Sequence, residues 1–133
     1  MVNQKDKNSK VIVFDLDGTL CYKKKPGELY ADAKIKEDVV AKLKEYSEQG
    51  FYIIINTSRN MRTYDRNIGL INGNTLKTIH LWLEKNNIPF DEIYIGRPWC
   101  GKDGFYVDDR TISPDEFVSK NYQEIYKKFH SDD

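Results

Sequence analysis

Two aspartates separated by one residue, Asp15 and Asp17, have the type and spacing to do chemistry together. They follow an apolar run from Val11 to Phe14, which is β-branched and aromatic and therefore predicts a buried strand. Two carboxylates at the end of such a strand are costly unless a partner offsets their charge, and Mg²⁺ with oxygen ligands is the usual partner where phosphate is handled. A carboxylate can also act as a nucleophile, with a neighbouring carboxyl group as acid and base. The pair therefore predicts a site for Mg²⁺ and phosphate.

Gly18 and Thr19 extend this stretch. Gly18 lets the backbone turn sharply or come close to a ligand. In an open α/β sheet, ligands bind outside the carboxyl ends of the strands, which is where both aspartates would lie. An ordinary turn after a strand is the alternative interpretation, because Asp and Gly are common turn residues.

The remaining pattern predicts the elements that position these residues. Apolar residues at helical spacing indicate an amphipathic helix over residues 33–49, with Asp32 as its N-cap and Gly50 at its end. Further strands are predicted at 51–56, 92–96 and 105–107, and further helices at 75–87, from Ser113 onwards and at 121–129. Residues 58–74 are irregular, which is typical of functional or disordered connections.

The stretch Asp15-Leu16-Asp17-Gly18-Thr19 resembles the first motif, Asp-x-Asp-x-Thr, of the haloacid dehalogenase superfamily of phosphohydrolases. The resemblance implies that Asp15 attacks phosphorus and forms an aspartyl-phosphate. It implies that Asp17 protonates the leaving oxygen and then activates water. Gly18 and Thr19 are expected to contact the substrate, and both aspartates to contribute to the metal site.

Two further segments, each after a predicted strand, resemble later motifs of the superfamily. In Thr57-Ser58-Arg59, the resemblance implies that Thr57 hydrogen-bonds a phosphoryl oxygen, although Thr and Ser are also ordinary helix N-caps. Asp108-Asp109 resembles the motif that completes the Mg²⁺ site, with Asp109 favoured as ligand and Asp108 as a residue that orients it. The residues expected to bind substrate in addition to Gly18 and Thr19 are Ser58, Arg59 and Arg62.

The cation of the third motif has two candidates, Arg97 and Lys102. Parallel strands end at one edge of the sheet, so the strand over 92–96 delivers Arg97 to the catalytic edge. Lys102 would lie on the return to the far edge. Arg97 is therefore favoured, although the superfamily usually has Lys there and Arg prefers forked contacts.

The resemblance implies a three-layer α/β/α Rossmann-like fold with a mostly parallel sheet in strand order 4-1-2-3. A chain of 133 residues leaves no room for the cap domain that many members carry. Residues 1–9 are expected to form a flexible tail, and residues 10–133 a single hydrolase domain. Members without a cap accept large substrates or close the site by oligomerisation, so a homo-oligomer is one of the two expectations.

Composition restricts the partners. Acidic and basic residues balance at 21 each, which argues against nucleic acid, and no apolar run reaches the length of a membrane span. With no export signal at the N-terminus, we expect a cytoplasmic protein in which Cys21 and Cys100 are reduced thiols.

The segments Asn-Met-Arg-Thr-Tyr, Gly-Arg-Pro-Trp-Cys-Gly and Gly-Phe-Tyr-Val-Asp-Asp-Arg are similar to small bacterial phosphatases of capsule and polysaccharide biosynthesis. This likeness implies a Mg²⁺-dependent phosphatase acting on a sugar phosphate or related phosphomonoester. A polynucleotide 3′-phosphatase is the alternative enzyme, since the lysines at 23–25 and the arginines of residues 59–66 would permit a basic groove. Those lysines are either a solvated turn or a mobile basic flap. A third hypothesis is a module that binds Mg²⁺ and phosphate without turnover.

Overall fold

The computed structural model of the chain describes residues 5–131. The chain forms two compact units, one up to Trp99 and the other from Cys100. The sequence predicted a single domain over residues 10–133, and this remains a prediction.

The first unit contains a parallel sheet of three strands. These are β1 (Val11–Phe14), β2 (Tyr52–Asn56) and β3 (Glu92–Tyr94), in the order β1-β2-β3. Phe14 pairs with Ile55, and Ile55 with Ile93, so the carboxyl ends of all three strands meet at one edge. The predicted α/β class with a parallel sheet is therefore confirmed.

The predicted fourth strand is not confirmed. Residues 105–107 have no strand pairing, and Phe105 and Val107 are exposed. The order β1-β2-β3 agrees with part of the predicted 4-1-2-3, but no strand 4 lies beside β1 among the described residues. With a neighbour on one side only, β1 is less buried than predicted, and Val13 is 56% exposed.

Helix α1 (Glu37–Glu48) connects β1 to β2, as parallel strands require a crossover. It begins four residues later than predicted, because Ile35 bridges to Cys21 and a 3₁₀ turn occupies Tyr30–Asp32. Its predicted end is confirmed. Gly50 has φ +94°, and the amide of Phe51 donates to the carbonyl of Tyr46, which is the Schellman pattern that favours glycine.

Two consecutive helices, α2 (Ile68–Asn74) and α3 (Leu76–Lys85), connect β2 to β3. Helix α2 was not predicted, since Gly69 and Gly73 weaken its pattern. Asn67 caps it by accepting a hydrogen bond from the amide of Leu70 at 3.1 Å. The core of the unit is formed by buried side chains of α1, α2, α3, β2 and the segment after β1, among them Leu16, Leu20, Val40, Leu43, Ile53, Ile55, Ile71, Ile79, Trp82 and Leu83.

The second unit contains α4 (Pro114–Ser119) and α5 (Tyr122–His130). The side chain of Ser113 caps α4, as predicted, and Asn121 and Glu124 form a capping box at the start of α5. Glu116 accepts hydrogen bonds from Lys120 at 2.7 Å and from Lys128 of α5 at 2.8 Å, and the second of these links the two helices.

The start of the described chain is anchored at Lys5. Its ammonium group donates to the carbonyl of Phe51 at 2.6 Å and forms an ion pair with Asp91 at 3.6 Å. The flexible tail over residues 1–9 remains a prediction, and residues 1–4 lie outside the described residues.

Among residues 5–131, no helix is both long enough and apolar enough to cross a membrane.

Candidate active site

The segment after β1 forms a tight turn around Leu16. The carbonyl of this fully buried residue accepts hydrogen bonds from the amides of Thr19, Leu20 and Cys21 at 2.9–3.2 Å. Gly18 closes the turn with φ +86°, a conformation that a side chain would strain. Leu16 is buried. The aspartates on either side of it, Asp15 and Asp17, are half-buried at the carboxyl edge of the sheet.

Asp15 is surrounded by competing electrostatic effects. Burial raises the pKa of its carboxyl group, while the Leu16 amide, Arg97 and Lys23 oppose that rise. The guanidinium Nη1 of Arg97 lies 3.8 Å from Oδ1 of Asp15. Arg97, the candidate that strand topology favoured, thus forms an ion pair with this carboxylate.

Asp17 is held by Arg59. The Nε of Arg59 donates to Oδ2 of Asp17 at 3.0 Å, and its Nη2 donates to Oδ1 at 2.8 Å. The guanidinium is buried and lies 4.2 Å from the ring centroid of Tyr30. Within residues 5–131, its Nη1 has no hydrogen-bond partner. A bidentate pair of this kind fixes both position and plane of the carboxylate.

Thr57 links the end of β2 to both groups. Its hydroxyl oxygen accepts a hydrogen bond from the Arg59 amide at 3.0 Å, and its carbonyl accepts one from the Arg97 amide at 3.1 Å. Since the oxygen accepts from the backbone, the hydroxyl hydrogen can be donated elsewhere. The buried residue therefore positions the backbone of both arginines.

The other predicted site residues are less closely connected. Ser58 and Thr19 take part in backbone turns, through Met61 and Leu16 respectively. The guanidinium of Arg62 is exposed and lies 5.9 Å from the ring centroid of Trp99. Lys102, Asp108 and Asp109 belong to the second unit, where the Oδ1 of Asp108 accepts from the Arg110 amide at 2.9 Å.

The residues around Asp15 fit a hard divalent cation in part. Desolvation and the nearby Asp17 both raise the pKa of Asp15, so an added positive charge would be stabilised beside its oxygens. The carboxylate of Asp17 fits less well, because Arg59 holds both of its oxygens. No group of three or more metal-ligating His, Cys, Asp or Glu side chains occurs in the part of the chain that the structure describes.

Three neighbours of the aspartates were not predicted as site residues. They are Lys23, which acts on Asp15; Tyr30, which lies against Arg59; and Cys21, whose Sγ lies 3.5 Å from Oδ1 of Asp17. All three come from the loop that follows the first motif. The three consecutive lysines were a visible signal for Lys23, but no pattern in the sequence indicates a ring placed over a buried guanidinium.

The two cysteines should differ sharply in reactivity. Burial, and secondarily the charge of Asp17, raises the pKa of the Cys21 thiol to about 12. Because the thiolate is the reactive form, we expect iodoacetamide at pH 8 to modify the half-buried Cys100 and leave Cys21 unmodified in the folded protein. Peptide mass spectrometry measures this, with urea-unfolded protein as the control in which both react. Modification of Cys21 at the rate of Cys100 in the folded protein would contradict the prediction.

The chain is similar to known proteins in sequence and in structure. A model of the haloacid dehalogenase-like hydrolase family matches residues 12–75, from β1 to the start of α3. A crystallised target protein from Vibrio cholerae is 48% identical, with a TM-score of 0.86 over 90% of this chain and 96% of that one. The chain belongs to the haloacid dehalogenase-like hydrolases.

The family model describes hydrolases, and the matched residues contain both Asp15 and Thr57. A chain in the structure of a Pnkp1/Rnl/Hen1 complex is 21% identical, with a TM-score of 0.48 over 90% of this chain and 37% of that one. That likeness is too distant to support any conclusion. No curated protein matched the chain.

Proposed function

We propose that the protein is a phosphatase that transfers the phosphoryl group of a phosphomonoester to Asp15 and then to water. The observation that carries the proposal is the pair of carboxylates at the end of β1, each facing its own arginine. Arg97 lies 3.8 Å from Asp15, and Arg59 holds Asp17 through two hydrogen bonds. The Asp15 carboxylate can therefore react, while the Asp17 carboxylate is held in a fixed orientation beside it.

In the first half of the proposed reaction, an Asp15 oxygen attacks phosphorus and the bond to the leaving oxygen breaks. Burial raises the pKa of Asp15, and the charges of Arg97 and Lys23 oppose that rise and so favour the ionised form of the nucleophile. The Thr57 hydroxyl donates its hydrogen to a phosphoryl oxygen, while its oxygen accepts a hydrogen bond from the Arg59 amide. Positive charge and donors placed around the phosphoryl oxygens lower the barrier as charge moves onto them.

Asp17 provides the proton transfers in the proposal. It gives a proton to the leaving alcohol, and as a carboxylate it takes one from the water that hydrolyses the aspartyl-phosphate. Proton transfer requires the carboxyl group within hydrogen-bond reach of the leaving oxygen, so its orientation matters as much as its presence. Arg59 is a positioning residue in this scheme, since it acts through Asp17.

We further propose that Mg²⁺ is held by Asp15, with Asp17 close by. The assignment of Asp109 as a ligand, with Asp108 orienting it, stays a prediction from the sequence motif. When bound, the cation would supply positive charge next to the phosphoryl oxygens. The partial fit of the Asp15 surroundings supports this assignment, and Mg²⁺ is a common cation of the family.

The substrate class is proposed from the similarity of three sequence segments to capsule and polysaccharide phosphatases. It is a sugar phosphate or related phosphomonoester, handled in the cytoplasm. The polynucleotide 3′-phosphatase and the module without turnover remain the alternatives. Phosphate release separates all three hypotheses. We expect Mg²⁺-dependent release from an aryl phosphate and from sugar phosphates, and little from 3′-phosphorylated oligonucleotides. No release from any of these by folded protein would contradict the proposal.

The third-motif residue can be decided by substitution. We expect Arg97→Ala to lower kcat/KM for an aryl phosphate by about 10²-fold, because a cation next to the nucleophile and the phosphoryl oxygens is removed. Arg97→Lys should recover part of this loss, since it keeps the charge but not the fork. Lys102→Ala is the matched control and should change kcat/KM by less than about threefold. The reverse order of effects would assign the role to Lys102.

A further inference from the structure

The loop from Tyr22 to Lys34 encloses an open cavity of about 200 Å³. Four lysines contribute to its lining: Lys23, Lys24, Lys25 and Lys34. Residues 22–36 carry five lysines and two acids in a chain of net charge zero, so positive charge is concentrated here. Lysines this close together repel one another, and an anion between them would relieve the repulsion.

The lysines of this cavity keep their charge available. None of the four forms an ion pair with a carboxylate among the described residues. Glu28 is the acid in the lining, and its Oε1 accepts a hydrogen bond from the Lys25 amide at 2.7 Å. The ammonium group of Lys24 lies 5.3 Å from the ring centroid of Tyr30, a contact that orients it without neutralising it.

Backbone contacts fix the base of the loop. The Tyr22 amide donates to the Lys34 carbonyl at 2.9 Å, and the indole of the buried Trp82 donates to the Ala33 carbonyl at 2.8 Å. At the tip, the Glu28 amide donates to the Lys25 carbonyl at 3.0 Å across Pro26-Gly27, with Gly27 at φ +87° as a type II turn requires. The lysines therefore project from a loop that needs little ordering on binding.

Lys23 connects the cavity to the catalytic aspartates. It lines the cavity, and its Cε lies 3.1 Å from the position that a Cβ on Gly18 would occupy. Its charge also acts on Asp15. A phosphoryl group at Asp15 and a second anionic group in the cavity can thus belong to one substrate molecule.

We infer that this lysine cavity binds a second anionic group of the substrate. The inference rests on the proposed function and narrows its substrate to a phosphomonoester that carries another phosphate or carboxylate. A second phosphate can belong to a small bisphosphate or to a nucleic-acid strand. In both cases the lysine ammonium groups would bind phosphate oxygens. The experiment therefore includes one probe of each source.

The test compares fructose 1,6-bisphosphate with fructose 6-phosphate, and a 3′-phosphorylated dinucleotide with a 3′-nucleoside monophosphate. We expect wild type to favour at least one bis-anionic probe over its partner by about tenfold in kcat/KM, an advantage that falls as salt is raised. Lys25→Ala combined with Lys34→Ala should remove this advantage and leave kcat/KM for an aryl phosphate within about twofold of wild type. The matched control is Lys77→Ala with Lys85→Ala, two exposed lysines of α3 that do not line the cavity.

Failure of the inference is distinguishable from failure of the proposed function. If wild type hydrolyses the aryl phosphate but neither bis-anionic probe has an advantage, the inference is overturned and the phosphatase stands. If nothing is hydrolysed, calorimetric binding of the same probes to wild type and to the Lys25/Lys34 variant decides the inference independently. Tighter binding of a bis-anionic probe that depends on these lysines supports the cavity, and equal binding by both proteins overturns it.

Discussion

Replacement of Asp15 by Asn is expected to lower kcat by about 10³-fold or more on every phosphomonoester that the protein hydrolyses. The amide keeps the shape of the side chain but cannot attack phosphorus. Burial raises the pKa of this carboxyl group, which means that its charged form is destabilised by desolvation. The substitution removes that charge and should not lower the free energy of unfolding. Phosphate release under single-turnover conditions, beside a urea unfolding curve, measures both expectations.

Asp15→Ala serves as a second variant, because it excludes slow deamidation of Asn as a source of residual activity. The matched control is Asp91→Asn, a carboxylate in the same unit that accepts from the Ile53 amide at 2.7 Å instead of facing Arg97. It should retain kcat even if it lowers stability. Activity of either Asp15 variant within about tenfold of wild type would rule out this residue as the nucleophile.

Replacement of Arg59 by Ala is expected to have the second-largest effect, and it should depend on the leaving group. Without the bidentate contact Asp17 loses its fixed orientation, and misplacement of a catalytic group by 1 Å can cost about 10²-fold. The first step with a sugar phosphate needs a proton for its alkoxide, whereas an activated aryl phosphate does not. In the first turnover, before hydrolysis of the aspartyl-phosphate, we therefore expect the rate of alcohol release to fall about 10²-fold and that of phenol release by less than about fivefold.

Arg59→Lys is the conservative variant and should behave much like Arg59→Ala, because an ammonium group cannot replace the fork. Both variants should also lose stability, by about 2–3 kcal/mol for Ala, which is less than for a fully buried pair since Asp17 is 26% exposed. A double-mutant cycle with Asp17→Asn separates the two effects, and its losses should be far from additive. Equal losses on both substrates would mean that Arg59 does not act through Asp17.

The sequence predicted the parts of the site that strand ends determine. A strand followed by Asp-x-Asp and a second strand followed by Thr57 must meet at one edge if the sheet is parallel, and β1 and β2 do pair in this way. Strand topology also favoured Arg97 over Lys102, and Arg97 lies beside Asp15. Topology and local pattern were sufficient for these contacts.

The contacts that were missed depend on tertiary packing. Arg59 was predicted to bind substrate, and this stays a prediction. Its contacts with Asp17 and with the ring of Tyr30 were not predicted, because no periodicity indicates which side of a turn is covered by another segment. Helix α1 started later than its apolar pattern indicated, because the Cys21–Ile35 bridge takes the first residues into a different pairing. The apolar stretch at 105–107 looked like a strand, yet β-propensity alone does not supply a neighbouring strand to pair with.

The proposed mechanism requires that a phosphoryl group resides on Asp15 during turnover. The most direct measurement is rapid acid quench of the wild-type protein with substrate and Mg²⁺, followed by hydroxylamine and peptide mass spectrometry, since hydroxylamine converts an acyl phosphate to a stable hydroxamate. We expect a hydroxamate at Asp15 that forms as alcohol is released, and none in Asp15→Ala. Full turnover with no modified Asp15 at any quench time, or with the modification on another residue, would contradict it.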